Sequence, residues 1–101
     1  MALTEAVYYI LLSLMQPLHG YGIIQNVEKL SNGRVRLAAG TLYGAINTLL
    51  ERGWITSVSG EKDSRKKEYV ITESGKQMLK TEILRLSELL DNGNRIMGGN
   101  I

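Results

Sequence analysis

Apolar residues recur every three or four positions in three segments of the first half of the chain, which is typical of α-helices that bury one face. This spacing predicts helices over about residues 5–16, 19–30 (or from 21) and 40–52. Thr4 is a suitable N-cap for the first helix, and Pro17 is a suitable stop. The predicted inner stripes are Val7-Ile10-Leu11-Leu14, Ile23-Ile24-Val27-Leu30 and Leu42-Ile46-Leu49-Leu50.

Shorter segments have the pattern of β-strands. Polar and apolar residues alternate over 34–37, which predicts a short strand with both arginines exposed. Residues 54–59 and 66–71 are predicted to form the two arms of a hairpin. Residues 60–65 between them are rich in glycine, aspartate and serine and are predicted to form the turn. The hairpin would then follow the third helix directly.

The remaining part of the chain is predicted to form one long helix. Thr72 is its N-cap, and Asn92-Gly93 is a stop signal, so the helix is expected to end near Asp91. Its apolar residues are spaced by four, three and four positions, as in a coiled-coil seam. These residues are Leu79, Ile83, Leu86 and Leu90.

The order of elements predicts a mainly α fold with a small β-hairpin (α+β), namely a winged helix-turn-helix followed by a C-terminal dimerisation helix. The winged unit would span residues 1–71 and the dimerisation helix residues 72–91, with a flexible tail over 92–101. Three helices and a hairpin already complete a small core. The stripe of the last helix is therefore predicted to pack on a second copy of the chain.

Composition narrows the class of protein. A chain of 101 residues with 44% hydrophobic residues fits one folded domain. Its net charge is only +2, but residues 34–67 hold seven basic and three acidic groups. This central basic segment suits a surface that faces phosphates, although an ordinary solvated surface explains the charge count equally well.

Several functional classes have no support in the sequence. The chain has no cysteine and one histidine, so it offers no thiol chemistry and no metal-ligand cluster. No nucleophile motif or phosphate-binding loop is present, and we expect neither an enzyme nor a cofactor. No apolar run could span a bilayer, and the N-terminus lacks the basic start of a secretion signal. We therefore expect a cytoplasmic location and no membrane partner.

The third predicted helix has the features of a DNA recognition helix. Its outer face would carry small and hydroxyl-bearing residues, which allow close approach to a duplex. Asn47 is the amide that could read an adenine, and Tyr43 lies at the flank. Alternatively, Gly44 and Ala45 pack on another helix and Tyr43 is core. The outer residues are Thr41, Gly44, Ala45, Asn47 and Thr48.

Two further regions could contact phosphates. Tyr21 lies at the start of the second helix, where backbone N–H groups favour anions, although it could equally be a half-buried tyrosine. Arg34 and Arg36 are weaker candidates. The hairpin carries basic residues that could follow a DNA backbone or simply be solvated. These are Lys62, Arg65, Lys66 and Lys67.

Four segments make the chain resemble the PadR family of bacterial transcription regulators over nearly its whole length. They are LTEAVYYILLSL at 3–14, PLHGYGI at 17–23, AGTLYGAINTLLERGWI at 39–55 and RKKEYVITESGKQML at 65–79. The resemblance implies a homodimeric repressor that binds a palindromic operator in double-stranded DNA. By position, Tyr21 and the segment Gly40-Thr41-Leu42-Tyr43 match the DNA-contacting elements of the family, and residues 65–67 match its wing.

Some PadR-family members respond to phenolic acids or flat hydrophobic drugs held between the subunits, so the resemblance also implies a small hydrophobic or phenolic effector. Drug-binding relatives stack the ligand on a tryptophan of the last helix, whereas the only tryptophan here is Trp54. Dimer core is the favoured interpretation of the residues that could otherwise line such a cavity. They are Tyr8, Met15, Met78 and Ile83.

A rival hypothesis keeps the winged fold without DNA binding. In it the chain is a small-molecule-binding dimer or a protein-interaction module, because winged folds serve both purposes. A basic hairpin beside a slim helix face favours DNA, since an interaction module needs neither.

Overall fold

Four helices and a three-stranded antiparallel sheet make up the computed structural model, which describes residues 2–58 and 66–98. The sheet has the order β1-β3-β2, so the last strand lies in the middle. The elements in chain order are α1 (Glu5–Ser13), β1 (Leu18–His19), α2 (Gly20–Leu30), α3 (Ala39–Glu51), β2 (Ile55–Ser57), β3 (Glu68–Ile71) and α4 (Glu73–Met97). This is the α+β winged-helix fold that the sequence predicts.

Side chains cap three of the helices at their N-termini. The hydroxyl of Thr4 accepts the Val7 N–H at 3.1 Å, as predicted for α1. His19 caps α2 through Nδ1, and Thr72 caps α4 by accepting the Gly75 N–H at 3.1 Å. Each cap satisfies a backbone donor that the helix leaves free, and so fixes the first turn.

The core lies where the inner faces of α1, α2 and α3 meet the sheet and the first turns of α4. Most of the predicted stripes are buried there. Leu30 is an exception, because it lies in the last turn of α2 and is 44% exposed. The buried core residues are Ile10, Leu11, Leu14, Ile23, Val27, Leu42, Ile46, Leu49, Trp54, Ile55, Tyr69, Ile71 and Leu79.

The prediction of a strand over residues 34–37 is wrong. The alternation of exposure is present, since Arg34 and Arg36 are exposed and Val35 and Leu37 are half-buried against the core. Within residues 2–58 and 66–98, however, no strand pairs with this segment, and the Val35 N–H bonds to the Ser31 hydroxyl at 2.9 Å. The third strand of the sheet is instead β1, whose two residues pair with residues 68 and 69 of β3.

The predicted end of the last helix is also wrong. α4 continues through Asn92 and Gly93 to Met97, and ends at Gly98 with a left-handed φ of 90°. The Asn92 side chain accepts a hydrogen bond from Arg95 at 2.7 Å, one turn further along. Residues 92–97 are therefore helical rather than a flexible tail, and the last three residues lie outside the described part.

The first turns of α4 belong to the core, which corrects the expectation that this helix has no place in it. A Cβ at Gly75 would overlap the carbonyl oxygen of Trp54, so only glycine allows this approach. Leu79 is 4% exposed and packs in the core of its own chain. It cannot form part of a dimer seam, which corrects its predicted role. Met78 also packs against this core from a half-buried position.

Candidate nucleic-acid interface

The outer face of α3 is exposed and carries almost no side-chain bulk. Gly40, Thr41, Gly44, Asn47 and Thr48 are all exposed, and they recur at the spacing of one helix face. Outside the backbone of the helix, no atom lies within 4 Å of where a Cβ at Gly40 or Gly44 would stand. The backbone of α3 can therefore approach a flat or grooved partner closely.

Two positions predicted near this face are partly turned inward. Tyr43 is half-buried and packs against the core, with its ring beside Gly20 of α2. Burial raises the pKa of the nearby Tyr69 phenol, and Tyr43 adds to this increase. Ala45 is also half-buried, so the alternative of inward packing applies to Tyr43 and Ala45 but not to Gly44.

α2 begins at Gly20, the residue against which the Tyr43 ring packs. Tyr21 is 66% exposed, which removes the alternative of a half-buried side chain. His19 holds this end of the helix in place because its Nδ1 accepts the Gly22 N–H at 3.0 Å. The Tyr21 hydroxyl therefore stands in solvent at the N-terminus of a helix, where the dipole favours anions.

The hairpin that follows α3 holds part of the predicted wing. Thr56 and Ser57 of β2 pair with Val70 and Tyr69 of β3, and the Val58 N–H bonds to the Glu68 carbonyl at 2.8 Å. On the return arm Lys66 is exposed and Lys67 is half-buried. Lys62 and Arg65 lie outside the described residues.

Arg34 and Arg36 are exposed, but each has an acidic partner within the chain. Arg34 pairs with Glu5 at the start of α1, and this hydrogen bond and charge raise the pKa of the guanidinium. Arg36 lies 3.9 Å from the Glu28 carboxylate of α2. Because both charges are compensated locally, these arginines add little to a phosphate-attracting surface.

The four residues proposed for an effector cavity do not line one cavity in the single chain. Tyr8 lines a cavity of about 300 Å³ between α1 and α4, together with Tyr9, Glu82 and Leu86. Met15 lines a different cavity, Met78 packs against the core, and Ile83 is exposed. Residues 2–58 and 66–98 contain no cluster of three acidic or histidine side chains that could hold a metal.

One charged residue of the described core has no counterpart among the sequence predictions. Glu82 of α4 is only 2% exposed, and its carboxylate bonds to the guanidinium of Arg85 and the backbone N–H of Leu3. These bonds, led by the one from Arg85, lower the pKa of Glu82 to about 2 even though burial acts in the opposite direction. Glu82 lies three residues after Leu79 and three residues before Arg85, so it shares a face of the helix with each of them. This spacing is the sequence signal that could have indicated the burial of Glu82 and its pairing with Arg85.

Comparison with known proteins gives one family. Residues 9–81 match the family described as transcriptional regulator PadR-like. No curated protein matches the chain significantly. In the described part of the chain no helix is both long and apolar enough to cross a membrane.

Solved structures share the fold at low sequence identity. A PadR-family regulator from Clostridium difficile superposes with a TM-score of 0.75 at 24% identity, over 94% of this chain and 100% of that one. A PadR-family regulator from Eggerthella lenta gives 0.73 at 24%, covering 93% and 82%. A transcriptional regulator from Clostridium thermocellum gives 0.71 at 24%, covering 91% and 90%.

Proposed function

The chain belongs to the PadR-like family of transcriptional regulators, and from this premise we propose that it is a sequence-specific DNA-binding repressor that acts as a homodimer on a palindromic operator. It works in the cytoplasm, where its operator is accessible. The family groups regulators rather than enzymes, and the proposed activity needs no cofactor.

The outer face of α3 is the observation that carries this proposal. Gly40 and Gly44 leave room for a DNA backbone or base edge at van der Waals distance. Thr41 offers a hydroxyl for a phosphate oxygen, and Asn47 offers an amide that can pair with the major-groove edge of adenine. Tyr43 lies at the flank of this face and supports the angle between α2 and α3.

Phosphate contacts come from the two ends of the same surface. Tyr21 donates its exposed hydroxyl from the start of α2, and Lys66 and Lys67 begin the basic wing. Lys62 and Arg65 extend this wing by their position in the sequence. Charges of this kind supply affinity that depends on salt and not on sequence, and they hold α3 in register with the groove.

The second copy packs on the outer half of α4. Ile83, Leu86 and Leu90 are exposed along one side of this helix, and Leu86 also borders the cavity beside α1. Leu89 widens this strip. α4 runs to Met97, so the helix itself continues for seven residues beyond Leu90, but the next position of the four-three spacing is Gly93, and the apolar seam therefore ends at Leu90.

A two-fold dimer places its recognition helices in successive major grooves, roughly 34 Å apart, on one face of the duplex. Repression follows because the bound dimer occludes a promoter. A small hydrophobic or phenolic effector, held between subunits at the cavity that Tyr8 lines between α1 and α4, acts by favouring a dimer whose helices no longer match the grooves.

The test is an anisotropy titration of the protein against the DNA upstream of its own gene and against a scrambled duplex. Both titrations are made at about 50 and 200 mM salt. We expect a preference of roughly a thousandfold or more for the upstream DNA. Equal, weak binding to both duplexes calls for a screen of genomic fragments. A failure of that screen favours the rival hypothesis of a winged interaction module.

A further inference from the structure

Glu82 marks the point where α4 leaves the body of the protein. Gly75, Leu79 and Glu82 are the buried residues of this helix, and all three lie in its first half. From Ile83 to Met97 every residue is exposed or half-exposed. Fifteen residues therefore project beyond Glu82, a length of about 22 Å.

The carboxylate of Glu82 connects this exit point to the start of α1. Its Oε2 accepts the backbone N–H of Leu3 at 3.0 Å, and Leu3 directly precedes the cap of α1. Arg85 donates from Nε and Nη2 to the two carboxylate oxygens, both at 2.7 Å. A buried charge that is fully hydrogen-bonded in this way holds one geometry, because leaving any partner unpaired is costly.

The other end of the buried half of α4 is connected to the recognition helix. Thr72 donates its hydroxyl to the Gly53 carbonyl at 2.6 Å and its N–H to the Trp54 carbonyl at 2.9 Å. Gly53 and Trp54 come just after Arg52, the C-cap of α3, and their N–H groups bond back to carbonyls of the last turn of that helix. α4 is thus bonded to the end of α3 at its start and to the beginning of α1 at Glu82.

We propose that Glu82 is a positioning residue, whose hydrogen bond to Leu3 sets the angle at which the projecting half of α4 leaves the body and thereby the separation of the two recognition helices in the dimer. This inference rests on the proposed function. It identifies Glu82 as the residue that determines which half-site spacing the dimer prefers. A rotation of about 10° at Glu82 moves the end of α4 by roughly 4 Å, close to the roughly 3.4 Å of one base-pair step.

The first test measures the separation directly. The chain has no cysteine, so Asn47→Cys gives one spin-label site per subunit on the outer face of α3. Pulsed dipolar spectroscopy then reports the distance between labels in the free dimer. We expect one narrow distribution in the otherwise native chain, and a shift or broadening by several ångström in Glu82→Leu, which fills the buried site with an apolar side chain that cannot accept these hydrogen bonds.

Two variants make this result specific. Glu82→Gln keeps the size and one acceptor of the side chain and is expected to show a smaller change, so it replaces Glu82→Leu if that variant fails to fold. Glu88→Gln removes an exposed charge from the projecting half of the same helix and should leave the distance unchanged. Identical distributions in all folded variants would overturn the inference. Absence of dipolar coupling in the native background overturns the homodimer itself.

The second test uses operators with altered spacing. Duplexes carry the two half-sites of the upstream operator with the native spacer, or with one base pair added or removed. We expect the native protein to prefer the native spacer by tenfold or more, and Glu82→Leu to lose most of this preference while it still binds a single half-site. A uniform loss of stability lowers all affinities together and leaves the ratio unchanged. An unchanged ratio in Glu82→Leu contradicts the inference, whereas failure of the native protein to bind any duplex contradicts the proposed function.

Discussion

The ring of Tyr43 rests against Gly20, and a Cβ at Gly20 would overlap its hydroxyl oxygen. This contact joins the first turn of α2 to the middle of α3, the two helices of the helix-turn-helix. The angle between them therefore depends on the absence of a side chain at one position and on a large aromatic side chain at the other.

Gly20→Ala is expected to destabilise the protein by about 1–3 kcal/mol, because the added methyl group overpacks a filled site. Urea unfolding measures this change. Gly44→Ala is the matched control, since it also adds a methyl group to a helical glycine but meets no atom within 4 Å. The control should stabilise by roughly 0.5–1 kcal/mol. Combining Gly20→Ala with Tyr43→Leu should recover stability, because the shorter leucine no longer overlaps the added methyl group. If Gly20→Ala and Gly44→Ala change the unfolding free energy equally, the contact between Gly20 and Tyr43 does not limit the packing.

Asn47→Ala is expected to weaken binding to the specific operator by about 1–3 kcal/mol, because it removes the amide that we propose reads a base. Anisotropy titrations with operator and scrambled duplexes measure the effect. Folding stability should not fall, since Asn47 is exposed and alanine favours a helix interior. Gln77→Ala removes an exposed amide from α4 and serves as the control. A similar loss for both duplexes, or for both variants, rules out base reading by Asn47.

Lys66→Ala and Lys67→Ala are expected to weaken binding to every sequence and to reduce the slope of log affinity against log salt by about one each. The reason is that each lysine in contact with a phosphate releases a counterion when the complex forms. Titrations over a series of salt concentrations give the slopes. Lys80→Ala, at an exposed site on α4, should leave the slope unchanged. Unchanged slopes in both wing variants would exclude the wing from the interface.

Leu86→Glu and Leu79→Ala are expected to act differently. Leu86 lies in the exposed strip of α4, so a charge there should give folded monomers in sedimentation at micromolar concentration. Leu79 lies in the core, so its truncation should cost about 2–5 kcal/mol of folding free energy. A dimer that survives Leu86→Glu would place the interface elsewhere.

Acid should weaken the fold through Glu82. Its pKa is lowered from the ordinary 4.5 to about 2, mainly by the Arg85 hydrogen bond and further by the Leu3 N–H. The carboxylate therefore stabilises the folded state fully above pH 4.5, and this contribution disappears as the pH falls towards 2. Glu5, Tyr8 and Tyr9 of α1 line the same cavity as this carboxylate.

Urea unfolding of the native chain and of Glu82→Gln at a series of pH values measures this contribution. The difference between their unfolding free energies should be constant above about pH 5 and should shrink as the pH is lowered through the window between the two pKa values. If the difference in unfolding free energy between the native chain and Glu82→Gln does not change with pH, the lowered pKa does not belong to Glu82.

Local patterns were sufficient to predict most of the fold. The apolar stripes located all four helices, and Thr4 and Thr72 were identified as caps because a hydroxyl can satisfy a free N–H wherever a helix begins. The exposed face of α3 followed from the same periodicity. The alternation over 34–37 predicted which side chains are exposed, but pairing requires a neighbouring strand, and that place in the sheet is taken by Leu18 and His19.

The features that were missed depend on contacts distant in the sequence. Asn92-Gly93 is a stop signal only on average, and here the helix continues for another turn to Gly98. The burial of Glu82 depends on Leu3, 79 residues away, which no periodicity reveals. Leu79 fits a coiled-coil seam and a core position equally well by spacing, and its actual place is set by the sheet beneath α4.

The openness of Gly40 and Gly44 has a consequence for how this regulator can diverge. Neither position contacts the core, so a new side chain there alters what α3 meets without disturbing what holds the domain together. Under the proposed function, gene duplication followed by substitution at these two sites would create paralogues with new operator preferences and the same fold. Side chains added at these two sites would then change operator preference while every packing contact of the domain stays in place.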